Sequence, residues 1–253
     1  MSIRSIGSNT YNVYEQLSTG KRINSAADDP AGLAIAEKLE TQTNGYDIGG
    51  ANASASQSMI NIADGALASV TDSLQRIREL SIQASNTAVY GEDEINAIQQ
   101  EIDGLKEHIS YVADNTQFNT MNLLDGSMSN FHIATNPDGS GMDIDMPDST
   151  LAALGIADYD VTGSFDISVI DEAINKVNSA RSELGATSNR LDYAMNYNSY
   201  ASYNLTSAKS TIEDLDMPKA ISELEKERLL DEYRIMMMKK EQEEKSHVLK
   251  LFK

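Results

Sequence analysis

From Ile170 to Leu215 one pattern runs without a lapse: Ile170, Ile174, Val177, Ala180, Leu184, Thr187, Leu191, Ala194, Asn198, Ala201, Leu205, Ala208, Ile212 and Leu215 follow one another at intervals of three or four. That rhythm keeps one narrow stripe on one face of an α-helix. A helix over this run is about 70 Å long at ~1.5 Å per residue. Its stripe is rich in Ala, which lets partner helices approach closely, and periodicity over such a length belongs to coiled coils and long bundles rather than compact enzymes. The chain must therefore supply partner helices of comparable length.

It does so upstream. Four prolines, Pro30, Pro137, Pro147 and Pro218, leave residues 31–136 and 148–217 uninterrupted by proline. Ile95, Ile98, Ile102, Leu105, Ile109 and Val112 form the seam of one predicted helix, opened by Glu92, Asp93 and Glu94, whose charges suit a helix N-terminus. Met59, Ala63, Ala66, Val70, Leu74, Ile77, Leu80 and Ala84 predict another, and the interruption at Asn86–Gly91 makes the two antiparallel. Residues 126–165 change character. Phe131-His132-Ile133-Ala134, the turn formers from Asn136 to Gly141, and the alternation Met142 to Met146 predict a β-hairpin. The fold class is thus mainly α: an elongated antiparallel helical rod or coiled coil, with a small β-hairpin region in the middle and helical terminal arms brought to the same end.

Composition supports a thin core. Hydrophobic residues make up 40% of the 253, with no Trp and four Phe, below the roughly 45–50% of ordinary globular domains. A net charge of −19 excludes a nucleic-acid binder that works by neutralising phosphates. The absence of Cys excludes a disulfide scaffold, a thiolate metal site and a cysteine nucleophile. No stretch approaches the ~18 apolar residues of a membrane span. Arg4, Asn9, Asn12, Glu15 and Gln16 stand where a cleavable signal would carry its apolar run, so no membrane insertion is expected and any export uses another route.

The acid excess lies entirely upstream of residue 217, since residues 217–253 carry nine basic and eight acidic side chains. Pro218 predicts a break at Met217. Beyond it Ile221, Leu224, Leu229, Tyr233, Met236 and Met237 form a loose apolar stripe that ends in Val248-Leu249-Lys250-Leu251-Phe252, an arm in need of a partner.

Features that could pass for chemistry have plainer readings. His108, His132 and His247 are scattered and no HExxH occurs, so no metal ligands are expected. Gly20-Lys21 resembles the end of a phosphate-binding loop, but Glu15 stands where the first Gly belongs and Arg22 replaces the Ser or Thr. Asp143 and Asp145 alternate along a predicted strand, and with Asp148 they lack the spacing of an EF-hand. Met236-Met237-Met238 reads as adaptable packing surface, and Tyr193, Tyr197, Tyr200 and Tyr203 flank the long seam. No catalytic, cofactor-binding or metal-binding residue is assigned.

Leu17-Ser18-Thr19-Gly20-Lys21-Arg22-Ile23-Asn24-Ser25-Ala26-Ala27-Asp28-Asp29-Pro30-Ala31-Gly32-Leu33-Ala34-Ile35-Ala36 closely resembles the bacterial flagellin family. So, in the same order, do Leu74 to Ala84, Thr116-Gln117-Phe118-Asn119, Arg181 to Ala186 with Asn189-Arg190-Leu191, and Glu213-Asp214-Leu215-Asp216-Met217. The resemblance spans about residues 17–220.

It implies a structural subunit of the flagellar filament, exported unfolded by the flagellar type III system, with no cofactor and no enzymatic activity. In domains it implies an N-terminal core arm over residues 1–22, a connecting loop over 23–33, rod helices over 34–125, the hairpin region over 126–166, the long returning helix over 167–215 and a C-terminal core arm over 216–253. The implied partners are other copies of the chain, the filament cap, an export chaperone, and the host's flagellin-sensing Toll-like receptor. Polymer and chaperone contacts fall on Ile221, Leu224, Leu229, Tyr233 and Met236; receptor contacts carry over to Arg76, Leu80 and Glu101. A plainer reading of that trio puts Leu80 in the seam and pairs Arg76 with Glu79 or Asp72.

Only about forty residues occupy the middle, so the chain resembles a short form without large outer domains. Two features depart from the family pattern. The segment before Leu17 is short, so some eighteen residues spanning ~27 Å face a C-terminal arm of thirty-five spanning ~52 Å if both are helical. That C-terminal arm is also more charged than is usual, which implies a modified core lining. Alternatives are a minor or accessory flagellin, a hook–filament junction protein, or a mainly monomeric immune ligand.

Overall fold

A computed structural model describes residues 13–128 and 130–251, with side chains through Lys245. The stretch before Val13, His247 and the apolar end at Val248 to Phe252 fall outside the described residues or side chains. The chain divides into two compact units, one made of residues up to Thr43 with those from Tyr203 onward, the other of Asn44–Ser202. It is mainly α: α1 (residues 13–19), α2 (Pro30–Ala84), α3 (Glu92–Asn115), α4 (Leu151–Leu154), α5 (Ser168–Glu213) and α6 (Met217–Leu251).

In the Asn44–Ser202 unit the long helices pair antiparallel, and side-chain rungs set their register. Arg78 Nε donates to Asp171 (2.6 Å), Arg181 Nε to Asp64 (2.8 Å), Gln57 Nε2 to Ser188 (2.6 Å) and Ser202 Oγ to Asp47 (2.6 Å), so α5 positions climb as α2 positions fall. On the other flank Arg76 meets Glu101 and Ser73 meets His108, which sets α3 antiparallel to α2. The predicted α2 seam is buried at Met59, Ala63, Val70, Leu74, Ile77, Leu80 and Ala84. On α5 Ile170, Val177, Leu184, Leu191 and Asn198, seven residues apart, are buried, Ala173 joins them, and Ile174, Ala180 and Ala194 are half-buried. Each fully buried aliphatic side chain contributes about 1.5–3 kcal/mol.

The hairpin forms as β3 (Phe131–Ala134) against β4 (Gly141–Ile144), pairing Phe131 with Ile144 and Ala134 with Gly141. Ile133 and Ile144 face the core. Its end docks on the helices through two carbonyls: Asn198 Nδ2 donates to Thr135 O (2.8 Å) and Asn52 Nδ2 to Ala134 O (3.0 Å). A buried Asn in an apolar seam is tolerated because that bond satisfies it. Gly49 makes room for the same carbonyl, since a Cβ there would lie 2.2 Å from Thr135 O.

Two small elements escaped the sequence reading. Strands β1 (Gln117–Phe118) and β2 (Met121–Asn122) pair across a two-residue loop in which Asn119 and Thr120 have φ of 48° and 65°, the conformation of a tight hairpin turn. The one-turn helix α4 is capped by Thr150 and stopped by Gly155 at φ 82°.

In the other unit, Gly20 at φ 70° ends α1, and Asp29 with Pro30 starts α2. Asp29 Oδ1 accepts from Gly32 N (2.9 Å), and Pro30 sits where a helix needs no N–H. The helix therefore opens inside the segment read from sequence as a connecting loop over 23–33. At the break before α6, Asp216 Oδ1 accepts from Lys219 N (3.2 Å), and Pro218 enters as the second helical residue.

Candidate assembly and recognition surfaces

Residues near the two chain ends meet in a backbone clasp. Arg22 N donates to Glu213 O (2.6 Å), and Leu215 N donates to Gly20 O (2.9 Å). Arg22 Nη2 donates to Ile212 O (2.6 Å), capping the last turn of α5. The Glu213 side chain is 8% exposed, with Lys21 Nζ at 2.5 Å and Lys209 Nζ at 3.5 Å; Lys209 also reaches Glu40 at 2.8 Å. The bond from Lys21 outweighs burial and holds the Glu213 carboxyl below the usual range, while Glu40 raises Lys209. Asp28 accepts from the backbone N–H groups of Asn24 and Ser25, which lowers its pKa and fixes the turn leading to α2. Sequence reading assigned this clasp no role. Its signal was present as two recognisable segments, Leu17 to Ala36 and Glu213 to Met217, which the fold brings together.

The assembly residues read from sequence lie on α6. Leu224 is buried with Ala220 in the same unit, whereas Ile221, Leu229, Tyr233 and Met236 are exposed, as are Leu230, Ile235, Met237 and Met238. At ~100° per residue these exposed apolar side chains encircle the helix, the pattern of a helix made to be surrounded. Arg228 binds the Tyr14 hydroxyl and lies over its ring, 5.6 Å from the centroid, tying α6 to α1.

Of the receptor trio, Arg76 and Glu101 are brought together: Arg76 Nε donates to Glu101 Oε1 at 2.8 Å and Nη1 to Glu79 Oε2 at 3.2 Å. Glu101 is the main cause that raises the Arg76 pKa. Leu80 is not with them on the surface; it is 2% exposed, in the seam. Asp72 makes no bond to Arg76, the place being taken by Glu79 and Glu101.

His132 and the aspartates around it serve the hairpin and the turn that follows it. His132 Nδ1 lies 2.6 Å from Asp143 Oδ1 and Nε2 lies 3.1 Å from Gly139 O, and Asp143 is the chief cause that raises the His132 pKa. Asp145 accepts from Asn130 N (2.7 Å) and Asp148 from Thr150 N (2.9 Å).

Long helices paired along thin seams, with a helix whose apolar side chains await cover, define a structural protein built for self-association. Comparison with known proteins gives that class a family. Residues 1–129 match the bacterial flagellin N-terminal helical region and residues 167–252 the bacterial flagellin C-terminal helical region. The chain is 35% identical to flagellin of Bacillus subtilis (strain 168) over 277 aligned positions, covering 94% of this chain and 91% of that protein. It is 34% identical to the flagellar filament 33 kDa core protein of Treponema phagedenis, covering 94% and 91%. Among solved structures, the crystal structure of Bacillus cereus flagellin superposes with a TM-score of 0.52 at 26% identity, covering 58% of this chain and 88% of that one. The chain belongs to the bacterial flagellin family, as a short form in which residues 130–166 separate the two matched regions. Among the described residues, no helix is long and apolar enough to cross a membrane.

Proposed function

We propose that the chain polymerises into the extracellular flagellar filament, with the arms over 1–22 and 216–253 forming the filament core and residues 34–125, 126–166 and 167–215 its outer rod. The observation that carries this reading is α6, which in the single chain leaves Ile221, Leu229, Tyr233 and Met236 in solvent. Those side chains are of little use to a monomer and are covered when copies stack; a contact that does not close on itself yields a helical filament. The same arm is the part a chaperone would shield before type III export and the part received beneath the filament cap. Deleting residues 219–253 is expected to abolish chaperone binding, and retained binding refutes that assignment.

Pelleting and electron microscopy of the full chain, seeded with sheared filaments, test the main reading. Seeded growth is the expected result; protein that stays monomeric with its helices intact overturns it in favour of an accessory flagellin or monomeric ligand. Recognition by the flagellin-sensing Toll-like receptor is a second reading, supported by the exposed Arg76–Glu101 pair. Leu80 then acts by holding α2 in place rather than by contact. In a receptor reporter assay Arg76→Ala is expected to weaken signalling, and an unchanged response removes the pair from the interface.

A further inference from the structure

We propose that the outward face of α5 around Tyr197 is a lateral contact with a second copy of this chain, and that its tyrosines seat on an exposed stripe of the next copy's α2. The proposal rests on the filament reading and adds to it a surface and an orientation. It comes from charge. The chain carries −19, yet no Asp, Glu, Lys or Arg occurs between Asp192 and Lys209, and none between Asp47 and Asp64. The rungs Asp47–Ser202 and Gln57–Ser188 set the first half of the α2 stretch beside residues 193–201 of α5, so the two uncharged stretches overlap there. Identical acidic molecules repel wherever their carboxylates face one another, so a close lateral contact falls where charge is missing.

The shape of this belt fits that use. Tyr193, Tyr197 and Tyr200 are 76%, 59% and 72% exposed. At ~100° per residue they lie within about 60° of one another, roughly opposite the buried Leu191 and Asn198. Tyr46 of α2 packs edge-on to Tyr197 with ring centroids 5.9 Å apart, which holds the middle ring in place. Tyrosine gives a rigid apolar surface with a hydroxyl that keeps it soluble before assembly. Rings that bury about 150–250 Å² each supply most of the ~800 Å² per partner of a standard interface.

A matching surface lies on α2. Ile48, Ala51, Ala55, Ser58 and Ile62 recur at three and four, and all are exposed. They fall within about 80° of one another on a face the buried seam does not use. Two large side chains flank small ones, so rings from a neighbour fit between Ile48 and Ile62. Because the tyrosines and this stripe are different patches, the contact is heterologous and propagates without closing.

Two measurements on the full chain test this. Tyr193→Glu/Tyr200→Glu puts charge into the belt without touching the core. It is expected to keep its circular dichroism while raising the critical concentration for seeded polymerisation at least tenfold. Tyr193→Phe/Tyr200→Phe, and Asn96→Glu/Gln100→Glu on α3, should polymerise like the parent. If the belt variant polymerises like the parent, or the α3 variant is equally impaired, the proposal fails while the filament reading stands. A parent chain that never sediments overturns both. Because the chain has no Cys, Tyr197→Cys and Ala55→Cys subunits can be mixed, polymerised and oxidised. Cross-linked dimers are expected only from the mixture; dimers from Tyr197→Cys alone, or none at all, overturn the assigned partner face.

Discussion

The same substitution at two positions of one repeat tests how burial, rather than periodicity, distributes stability along α5. Leu184 is 2% exposed, whereas Leu205 is only half-buried, although the sequence places both on the same stripe. Leu184→Ala removes a side chain from a packed site, losing its transfer free energy and leaving a cavity, a cost of about 2–5 kcal/mol. Leu205→Ala withdraws a side chain that water already reaches on one side, so about 1 kcal/mol is expected. For a protein of this size ~1 kcal/mol moves Tm by about 2–4 °C, which puts the Leu184 variant roughly 4–20 °C below the parent and the Leu205 variant within about 4 °C. Thermal and urea unfolding followed by helical circular dichroism reads both, and an unchanged urea dependence makes the comparison one of stability. Equal losses at the two positions would refute the reasoning, because they would mean that the repeat is uniformly buried. In filaments the order changes: Leu205→Ala loses more stability relative to its monomer if neighbours cover that half of the stripe.

Gly49→Ala pushes a methyl against the Thr135 carbonyl and should cost about 1–3 kcal/mol, seen as earlier thermal unfolding; the wild-type Tm would show that the hairpin end does not dock there. Glu213→Gln should destabilise the chain by about 1–3 kcal/mol at pH 7. Because the Glu213 pKa is depressed in the folded state, its contribution is full above the unfolded value near ~4.3 and fades as pH falls through the folded pKa. Parent and variant unfolding curves should therefore converge in acid, and a gap independent of pH contradicts the ionic role. His132 has a raised pKa, so its bond to Asp143 stabilises fully below the unfolded value near ~6.5 and is lost as pH rises through the folded pKa. Proton NMR should place its midpoint above the free value, with Asp143→Asn lowering it; a midpoint indifferent to that change removes the pair.

Periodicity made the helices and their antiparallel order legible, because spacings of three and four encode a face. It left undecided which stripe positions are sealed. Ile174 and Ile170 look equivalent in sequence, yet Ile170 is fully buried and Ile174 only half-buried, a difference that tertiary packing alone decides. Asn198 looked like a weak seam residue, and its reason is a carbonyl 63 positions away. Strands β1 and β2 are too short for alternation to register, and Thr120 is not a residue that announces a left-handed turn. The trio Arg76, Leu80 and Glu101 was legible as residues but not as a surface, since Arg76 and Leu80, one turn apart on α2, end respectively in a solvent pair with Glu101 of α3 and in the buried seam. Alternation around the turn at Asn136 to Gly141 did suffice for the larger hairpin.

The rungs from Arg78–Asp171 to Asp47–Ser202 also decide where this chain can change length. One residue added inside α2 or α5 turns every later side chain by ~100° and slides it by ~1.5 Å, so each rung beyond the insertion meets the wrong partner. A compensating insertion would have to appear in the opposite helix at the same level. Within residues 130–166 only the exposed turn at 136–140 carries no such debt, because it joins β3 to β4, whereas Ile133, Ile144, Ile156 and Val161 are packed in the core. Growth and loss of sequence are thereby channelled into that turn, and a tag or foreign loop placed there leaves the pairing of the helices untouched.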